Sequence, residues 1–102
     1  MGISGAWTDI SCHAEKVDWD KRPKWQIAYG SWLARKTVNL LVAGRCFSYE
    51  PALFQDARII GTCLITGHAA GAATAVSIQQ KTTPRSVDVS LVQNLLKSQN
   101  AL

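Results

Sequence analysis

The side chains best suited to chemistry in this 102-residue sequence are three cysteines and two histidines. Cys12 and His13 are adjacent and could form half of a metal site, but the widely spaced Cys46 and Cys63 do not supply the other half. No C-x-x-C pair occurs, so the pattern indicates neither a zinc site nor a thioredoxin-like redox pair. We therefore predict no metal site and free thiols in a reducing compartment. His68 lies well inside a predicted helix, where we expect a structural role.

Charge and composition predict one small globular domain. Hydrophobic residues make up 47% of the chain and charged residues 18%, with a net charge of +4. The densest basic cluster, KRPK at 21–24, is flanked by Trp19 and Trp25, so it is either a nucleic-acid footprint or a solvated loop. The cluster is short for a nucleic-acid surface, and we predict no nucleic-acid partner. Residues 1–12 carry no basic-then-apolar targeting signal, which favours a cytoplasmic protein.

Two strands are predicted before the middle of the chain. Residues 25–32 alternate between apolar and small or polar side chains, a period typical of a half-buried strand. Residues 38–44 form a continuous apolar run that ends in Gly44. Such a run favours a strand covered on both faces, as in a parallel sheet between layers of helices.

Two helices are predicted after the strands. Apart from glycine, nothing interrupts a helix over 62–80, which Thr62 could cap and which the K-T-T-P sequence should end. A second helix is predicted over 89–99, capped by Asp88 or Ser90. Its apolar face would be made by Leu91, Val92, Leu95 and Leu96.

The long helix has three competing interpretations. Residues 59–78 contain no charged side chain, and Gly67, Gly71 and Ala75 follow a small-xxx-small pattern found in membrane helix pairs. The many Thr, Ser and Ala residues and His68 argue against insertion, so we predict no membrane partner. The second interpretation is a soluble helix packed closely against a sheet through the glycine stripe. The third is a helix whose N terminus binds a ligand through its unpaired N–H groups.

Three motifs then occur in order: an Ala-Gly-Arg turn in NLLVAGRCFS (39–48), Gly-x-Ala-Ala-Gly in ARIIGTCLITGHAAGAATA (57–75), and Pro-Arg-x-Val-x-Val before a Leu-rich segment in TPRSVDVSLVQNLL (83–96). This series resembles the C-terminal end of FAD-dependent oxidoreductases. The similar group is the family related to fumarate reductase flavoproteins, within the glutathione-reductase-like two-dinucleotide superfamily. WQIAYGSW (25–32) is similar to a strand that precedes these motifs in the family, and residues 9–13 weakly echo an earlier one.

The resemblance implies an α/β fold, namely the C-terminal part of an FAD/NAD(P)-binding Rossmann-like fold, which as an isolated piece would be α+β. It also implies FAD as the cofactor and hydride transfer from a substrate to flavin N5. The Ala-Gly-Arg turn would lie along the ribityl chain, and the start of the 62–80 helix beside the isoalloxazine ring. Carried over by position, the cofactor-binding residues would be Gly44, Arg45, Ile60, Gly61, Thr62 and Cys63.

The catalytic residues are less determined by the resemblance. His13 and Arg58 are the candidates, and Arg58 could equally be an ordinary solvated residue. Arg45 could likewise form an ion pair with Glu50 or Asp56 instead of contacting a cofactor. The family's Pro-Arg pair in the 25–32 segment is replaced here by alanine and glycine, so a basic residue often found near the substrate pocket is absent.

The sequence also lacks the G-x-G-x-x-G motif that binds the cofactor phosphates in such proteins. We therefore expect residues 1–102 to be a single partial domain without the N-terminal dinucleotide-binding half, inactive alone and able to hold FAD firmly only when that half is supplied. Surfaces left uncovered would favour a homo-oligomer. The alternative functions are a small self-associating structural or interaction protein without a cofactor, and a membrane-associated protein built on residues 59–78.

Overall fold

The computed structural model describes residues 3–5 and 24–101, and helices dominate this part of the chain. Its one sheet pairs strand β1 (Ile3–Gly5) with strand β2 (Lys24–Gln26) in the antiparallel direction. The register places Ile3 opposite Gln26 and Gly5 opposite Lys24. Three α-helices follow, α1 (Phe54–Ala57), α2 (Ile60–Gln79) and α3 (Val89–Ser98). Three short 3₁₀ helices lie between β2 and α1, at Tyr29–Trp32, Gly44–Cys46 and Pro51–Leu53, and a fourth lies between α2 and α3 at Pro84–Ser86.

The predicted α/β, Rossmann-like fold is wrong, because the described residues contain no parallel sheet. The apolar run at 38–44 makes only an isolated antiparallel bridge between Leu41 and Leu33. A strand of that kind needs partners along both edges and layers over both faces. Here Val38 is 57% exposed and Leu40 is 47% exposed, so the run has no such cover.

The predicted strand at 25–32 is also mostly replaced by other structure. Ladder pairing stops at Gln26, and the chain coils into a 3₁₀ helix at Tyr29–Trp32. The alternation that suggested the strand is still visible in burial, since Ile27 and Tyr29 are buried while Ala28 is exposed. An alternation of apolar and polar side chains does not require a paired strand. Any extended segment that buries one face shows the same alternation.

Helix α2 is the longest element, and its bounds are Ile60–Gln79 where the sequence predicted 62–80. Thr62 does not cap it, as the sequence suggested, because Ile59 occupies the N-cap position and Thr62 lies inside the first turn. Within residues 3–5 and 24–101, no helix by itself has the length and apolar content to cross a membrane. The pair Pro51–Ala57 and Ile60–Gln79, bent by 91°, meets that test only jointly.

Both longer helices end in the same way. Lys81 and Asn100, one residue beyond each C-cap, have φ of 53°, in the left-handed region. After α2, the Lys81 N–H donates to the Ile78 carbonyl at 3.1 Å and the Thr82 N–H donates to the Ser77 carbonyl at 3.0 Å. These bonds form a Schellman motif, which satisfies carbonyls that the helix leaves unpaired. Helix α3 begins with Asp88 as its cap, the first of the two residues the sequence offered.

The core lies where α2, α3 and the segment after β2 meet. Trp32 and Val92 are fully buried, and alanines on α2 let the neighbouring elements approach closely. The Tyr29 hydroxyl donates to the Pro84 carbonyl at 2.6 Å, which joins the start of the described segment to the connection between α2 and α3. The core residues are Ile27, Tyr29, Trp32, Phe47, Ala57, Ala69, Ala72, Ala73, Val76, Val87, Val92 and Leu96.

Candidate functional site

The Ala-Gly-Arg turn predicted from the sequence is held against α2 by one hydrogen bond. The Gly44 N–H donates to the Thr66 hydroxyl at 3.0 Å, across 22 residues of chain. Gly44 has φ of +66°, a conformation that glycine adopts without strain. A 3₁₀ helix, Gly44–Cys46, starts at this residue and contacts α2. The turn is therefore fixed to the N-terminal half of the helix.

Thr66 can hold the turn because its own orientation is fixed by the helix. Its hydroxyl donates toward the Thr62 carbonyl at 2.9 Å and the Cys63 carbonyl at 3.1 Å, and the residue is fully buried. The hydroxyl hydrogen is therefore donated within the helix, and a lone pair of the hydroxyl oxygen accepts the Gly44 N–H. Sequence reasoning did not identify Thr66. The available signal was a threonine one helical turn after Thr62 on a helix of small residues.

The first turn of α2 borders open space at Gly61. Ile59 provides no side-chain cap, and no acidic residue lies in the first turn. The first of the helix's own bonds runs from the Cys63 N–H to the Ile59 carbonyl at 3.0 Å. A side chain added at Gly61 would meet no atom within 4 Å, so space is open beside this backbone. The partial positive charge of a helix N terminus is available to an anionic or electron-rich ligand there.

The other residues predicted at the helix start have different surroundings. Ile60 is 78% exposed, whereas Thr62 as a whole is 1% exposed. Cys63 is half-buried, with its Sγ 3.8 Å from the Arg58 carbonyl and 4.0 Å from the Ala57 carbonyl. The thiol therefore points back at the chain that enters the helix. Ile60 and Gly61 are the exposed residues of this group.

The two predicted cations differ in how they are held. Arg45 is exposed. Arg58 donates from Nε to Gln55 Oε1 at 3.0 Å, with a second bond from Nη2 to the same oxygen. Its guanidinium carbon also lies 5.3 Å from the centre of the Phe54 ring. Arg58 is therefore held by α1, immediately before α2 begins, while the other catalytic candidate, His13, lies outside the described residues.

An aromatic row next to α1 was not predicted. The ring centroids of Phe47 and Tyr49 are 5.1 Å apart, and those of Tyr49 and Phe54 are 6.5 Å apart. Beside the row lies an open groove of about 560 Å³, to which Phe47 and Tyr49 contribute. Only Phe54 in this row is exposed, at 49%, and an exposed ring of this kind can stack on a planar ligand. The alternating spacing of Phe47, Tyr49 and Pro51 was the available sequence signal.

His68 is placed away from the turn, as its sequence position suggested. Its Nε2 lies 2.7 Å from Gln99 Oε1, which ties α2 to the residue after α3. Within residues 3–5 and 24–101, no group of three or more His, Cys, Asp or Glu side chains is arranged to hold a metal ion. The candidate site residues described above offer backbone N–H groups, two arginines and aromatic rings.

Comparison with known proteins gives one match. A family model described as FAD dependent oxidoreductase matches residues 5–96. Neither the curated proteins nor the solved structures gave a match to this chain. The matched range includes the Ala-Gly-Arg turn, the start of α2 and almost all of α3.

Proposed function

The chain belongs to the FAD dependent oxidoreductase family, and from that premise we propose that it supplies the flavin-side contacts of such a protein. Within the family, the Ala-Gly-Arg turn and the Gly-x-Ala-Ala-Gly segment favour the branch related to fumarate reductase flavoproteins. The observation that carries the proposal is the hydrogen bond from the Gly44 N–H to the Thr66 hydroxyl. Thr66 lies only about 6 Å along the helix axis from Thr62, so the bond holds the turn within about one helical turn of the helix start.

The backbone at the Ala-Gly-Arg turn and at the start of α2 leaves room for a flavin ring. Side chains added at Gly44 or Gly61 would meet no atom within 4 Å, so a ring system can approach both backbones. The N terminus of α2 would stabilise negative charge on the pyrimidine edge of the ring. Gly44 and Arg45 would lie along the ribityl chain, and the exposed Ile60 and Gly61 along the ring, whereas the buried Thr62 and the half-buried Cys63 would lie behind them. When bound, FAD supplies the redox chemistry by accepting hydride at N5.

Arg58 would serve this site as an exposed cation next to the ring. Its contacts with Gln55 and the Phe54 ring fix its position before α2. It would attract an anionic group of the substrate or of the cofactor. Binding of the cofactor phosphates is not assigned to this chain, because its sequence has no G-x-G-x-x-G motif.

The test is a comparison of riboflavin, FMN and FAD in fluorescence titrations with the chain. Contacts restricted to the ring and ribityl chain predict that the three ligands bind with similar dissociation constants, in the range of about 10 μM to 1 mM. Gly61→Leu would block the helix start and weaken binding of each by roughly tenfold or more. A preference for FAD over riboflavin of about a hundredfold would instead place the main contacts on the adenosine or phosphate groups.

Gly71→Leu is the matched control for that experiment. Gly71 is also an exposed α2 glycine with open space around it, but it lies about 15 Å farther along the helix. It should leave the flavin dissociation constants unchanged. Equal loss of binding in both variants, or no binding of any flavin to the wild-type chain at about 1 mM, would contradict the proposed function.

A further inference from the structure

The groove beside the aromatic row lies between two segments that a hydrogen bond holds together. One wall is formed by residues 26–31, in the chain that follows β2, and the other by residues 47–53. The Ser48 N–H donates to the Ser31 carbonyl at 2.9 Å, which fixes the two walls relative to each other. The volume of about 560 Å³ lies in the range of small-molecule sites. The groove is therefore formed before any ligand enters it.

The inner surface of the groove is mainly apolar and aromatic. Ile27 and Phe47 line it while being only 3% and 5% exposed, so they form its deeper part. Tyr49 is half-buried, and its ring centroid lies 5.1 Å from that of Phe47. Leu53 is 38% exposed and lines the same groove. An aromatic group bound here would remove apolar surface of both partners from water and could pack against the two rings.

The charge of the groove is negative. Glu50 is the only charged side chain among the described residues that line it. The other polar lining groups are the neutral side chains of Gln26, Ser31, Ser48 and Tyr49. This local charge is opposite in sign to the net charge of +4 of the whole chain. A carboxylate beside an aromatic ring attracts organic cations, because the face of the ring is also electron-rich.

These features favour one class of ligand over two others. An anionic ligand would be repelled by Glu50 and would meet no cationic side chain among the described lining residues. A neutral apolar ligand would fill the groove without using the carboxylate. An ammonium group on an aromatic body matches both the rings and the charge.

We propose that the groove binds a small organic cation with an aromatic body, such as an arylalkylamine. The aromatic body lies against Phe47, Tyr49 and Leu53, and the ammonium group donates to the Glu50 carboxylate. Hydrogen bonds of this kind, between two ionised groups, are among the stronger ones in proteins. The face of the Tyr49 ring adds a further attraction for the cation.

The groove is separate from the proposed flavin site. None of the residues assigned to the flavin lines it in the described part of the chain. The structural connection between the two runs through Phe54, whose ring centroid lies 6.5 Å from that of Tyr49 and 5.3 Å from the guanidinium carbon of Arg58. The proposal therefore does not rest on flavin binding, and each of the two sites can fail its test while the other passes.

Titrations followed by ¹H–¹⁵N NMR test the proposal with three probes, 2-phenylethylamine, 3-phenylpropanoate and n-butylamine. The phenylethylamine should shift the amides of Ser31 and Ser48 and bind with a dissociation constant of about 0.5–5 mM, as expected for so small a ligand. The phenylpropanoate, which has the ring but a negative charge, should bind at least roughly fivefold more weakly. The butylamine, which has the charge but no ring, should also bind at least roughly fivefold more weakly.

Glu50→Gln should remove most of the preference for the amine, by weakening phenylethylamine roughly fivefold without weakening phenylpropanoate. Asp88→Asn is the matched control. It changes the net charge by the same amount, keeps a residue type that caps helices well, and lies outside the groove at the start of α3. Phenylethylamine should bind to it as to the wild-type chain. Riboflavin should bind to Glu50→Gln as to the wild-type chain, because Glu50 is not part of the flavin site.

The proposal makes outcomes that would overturn it easy to recognise. Equal binding of phenylethylamine and phenylpropanoate, an unchanged preference in Glu50→Gln, or an equal loss in Asp88→Asn would each contradict the role of the carboxylate. Butylamine binding as tightly as phenylethylamine would contradict the role of the rings. Displacement of phenylethylamine by riboflavin would place the amine on the flavin site instead, and no amide shift at about 10 mM amine would show that the groove binds no such ligand.

Discussion

Replacing Thr66 by valine should release the Ala-Gly-Arg turn from α2. Thr66 is fully buried, and its hydroxyl is the acceptor for the Gly44 N–H at 3.0 Å. Valine has nearly the same shape, so the change removes the hydroxyl without leaving a large cavity. The Thr62 carbonyl that the hydroxyl also contacts remains within the helix. The main loss is therefore the acceptor for one backbone N–H.

The magnitude follows from the surroundings of that N–H. Leaving a buried donor without an acceptor costs about 1–3 kcal/mol, and the bond from Gly44 is only partly buried, which favours the lower half of that range. We expect Thr66→Val to lower the free energy of unfolding by about 1–2 kcal/mol. For a domain of this size, each kcal/mol lowers the melting temperature by about 4–8 °C. Thr66→Ser is the control, since it keeps the hydroxyl and loses about 1 kcal/mol through its missing methyl group.

Amide hydrogen exchange at Gly44 separates the two variants. In Thr66→Val the Gly44 amide should exchange roughly 5- to 30-fold faster than in the wild-type chain, corresponding to the lost 1–2 kcal/mol. In Thr66→Ser its protection should fall no more than that of Ala73 in the core of α2. Flavin affinity should fall in Thr66→Val and be retained in Thr66→Ser. Unchanged Gly44 exchange together with an unchanged unfolding midpoint in Thr66→Val would refute this reasoning.

Three further predictions concern the hydrogen bonds and turns that join the elements. Tyr29→Phe leaves the Pro84 carbonyl without its donor and should lower the free energy of unfolding by about 1–2 kcal/mol in urea titrations. Burial raises the pKa of Tyr29 above its usual value of 10.0. The wild-type chain should therefore lose stability as pH rises through that higher pKa, and the variant should lose less; equal alkaline profiles would contradict this. Lys81→Gly relieves the left-handed φ of 53° and should raise the free energy of unfolding by roughly 0.5–1 kcal/mol, whereas a lower melting temperature would show that the lysine is not strained. The hydrogen bonds from Ser90 lower the pKa of Asp88, so the capped α3 should lose stability as pH falls through that lowered pKa, below 3.8. Asp88→Asn should lose less helical circular dichroism in acid than the wild-type chain. An identical acid transition in the two chains would exclude the cap as its cause.

Local sequence patterns predicted α2 and α3 close to their observed bounds. Nothing but glycine interrupts the sequence of α2, and the helix runs from Ile60 to Gln79, close to the predicted 62–80. Asp88 was one of two residues proposed as the α3 cap, and its side chain accepts the Ser90 N–H at 2.9 Å. These features depend on residues a few positions apart, which a sequence displays directly.

The strands were predicted wrongly because their formation depends on distant partners. The apolar run at 38–44 has the composition of a buried strand, but a strand forms only where other strands pair with its edges. In the described residues this run has one bridge, to Leu33, and continues into the 3₁₀ helix at Gly44. Composition alone does not show whether those partners exist.

The sequence by itself determined the family, the extent of α2 and the glycines that leave its backbone open. Only the tertiary structure decided which face of α2 is buried, because apolar and small residues lie on both sides of the helix and no charge marks an outer side. It also decided that the Gly44 N–H finds its acceptor at Thr66, 22 residues away. Both outcomes depend on how α3 and the turn at Gly44 pack against α2, since burial and long-range hydrogen bonds arise only when distant segments meet.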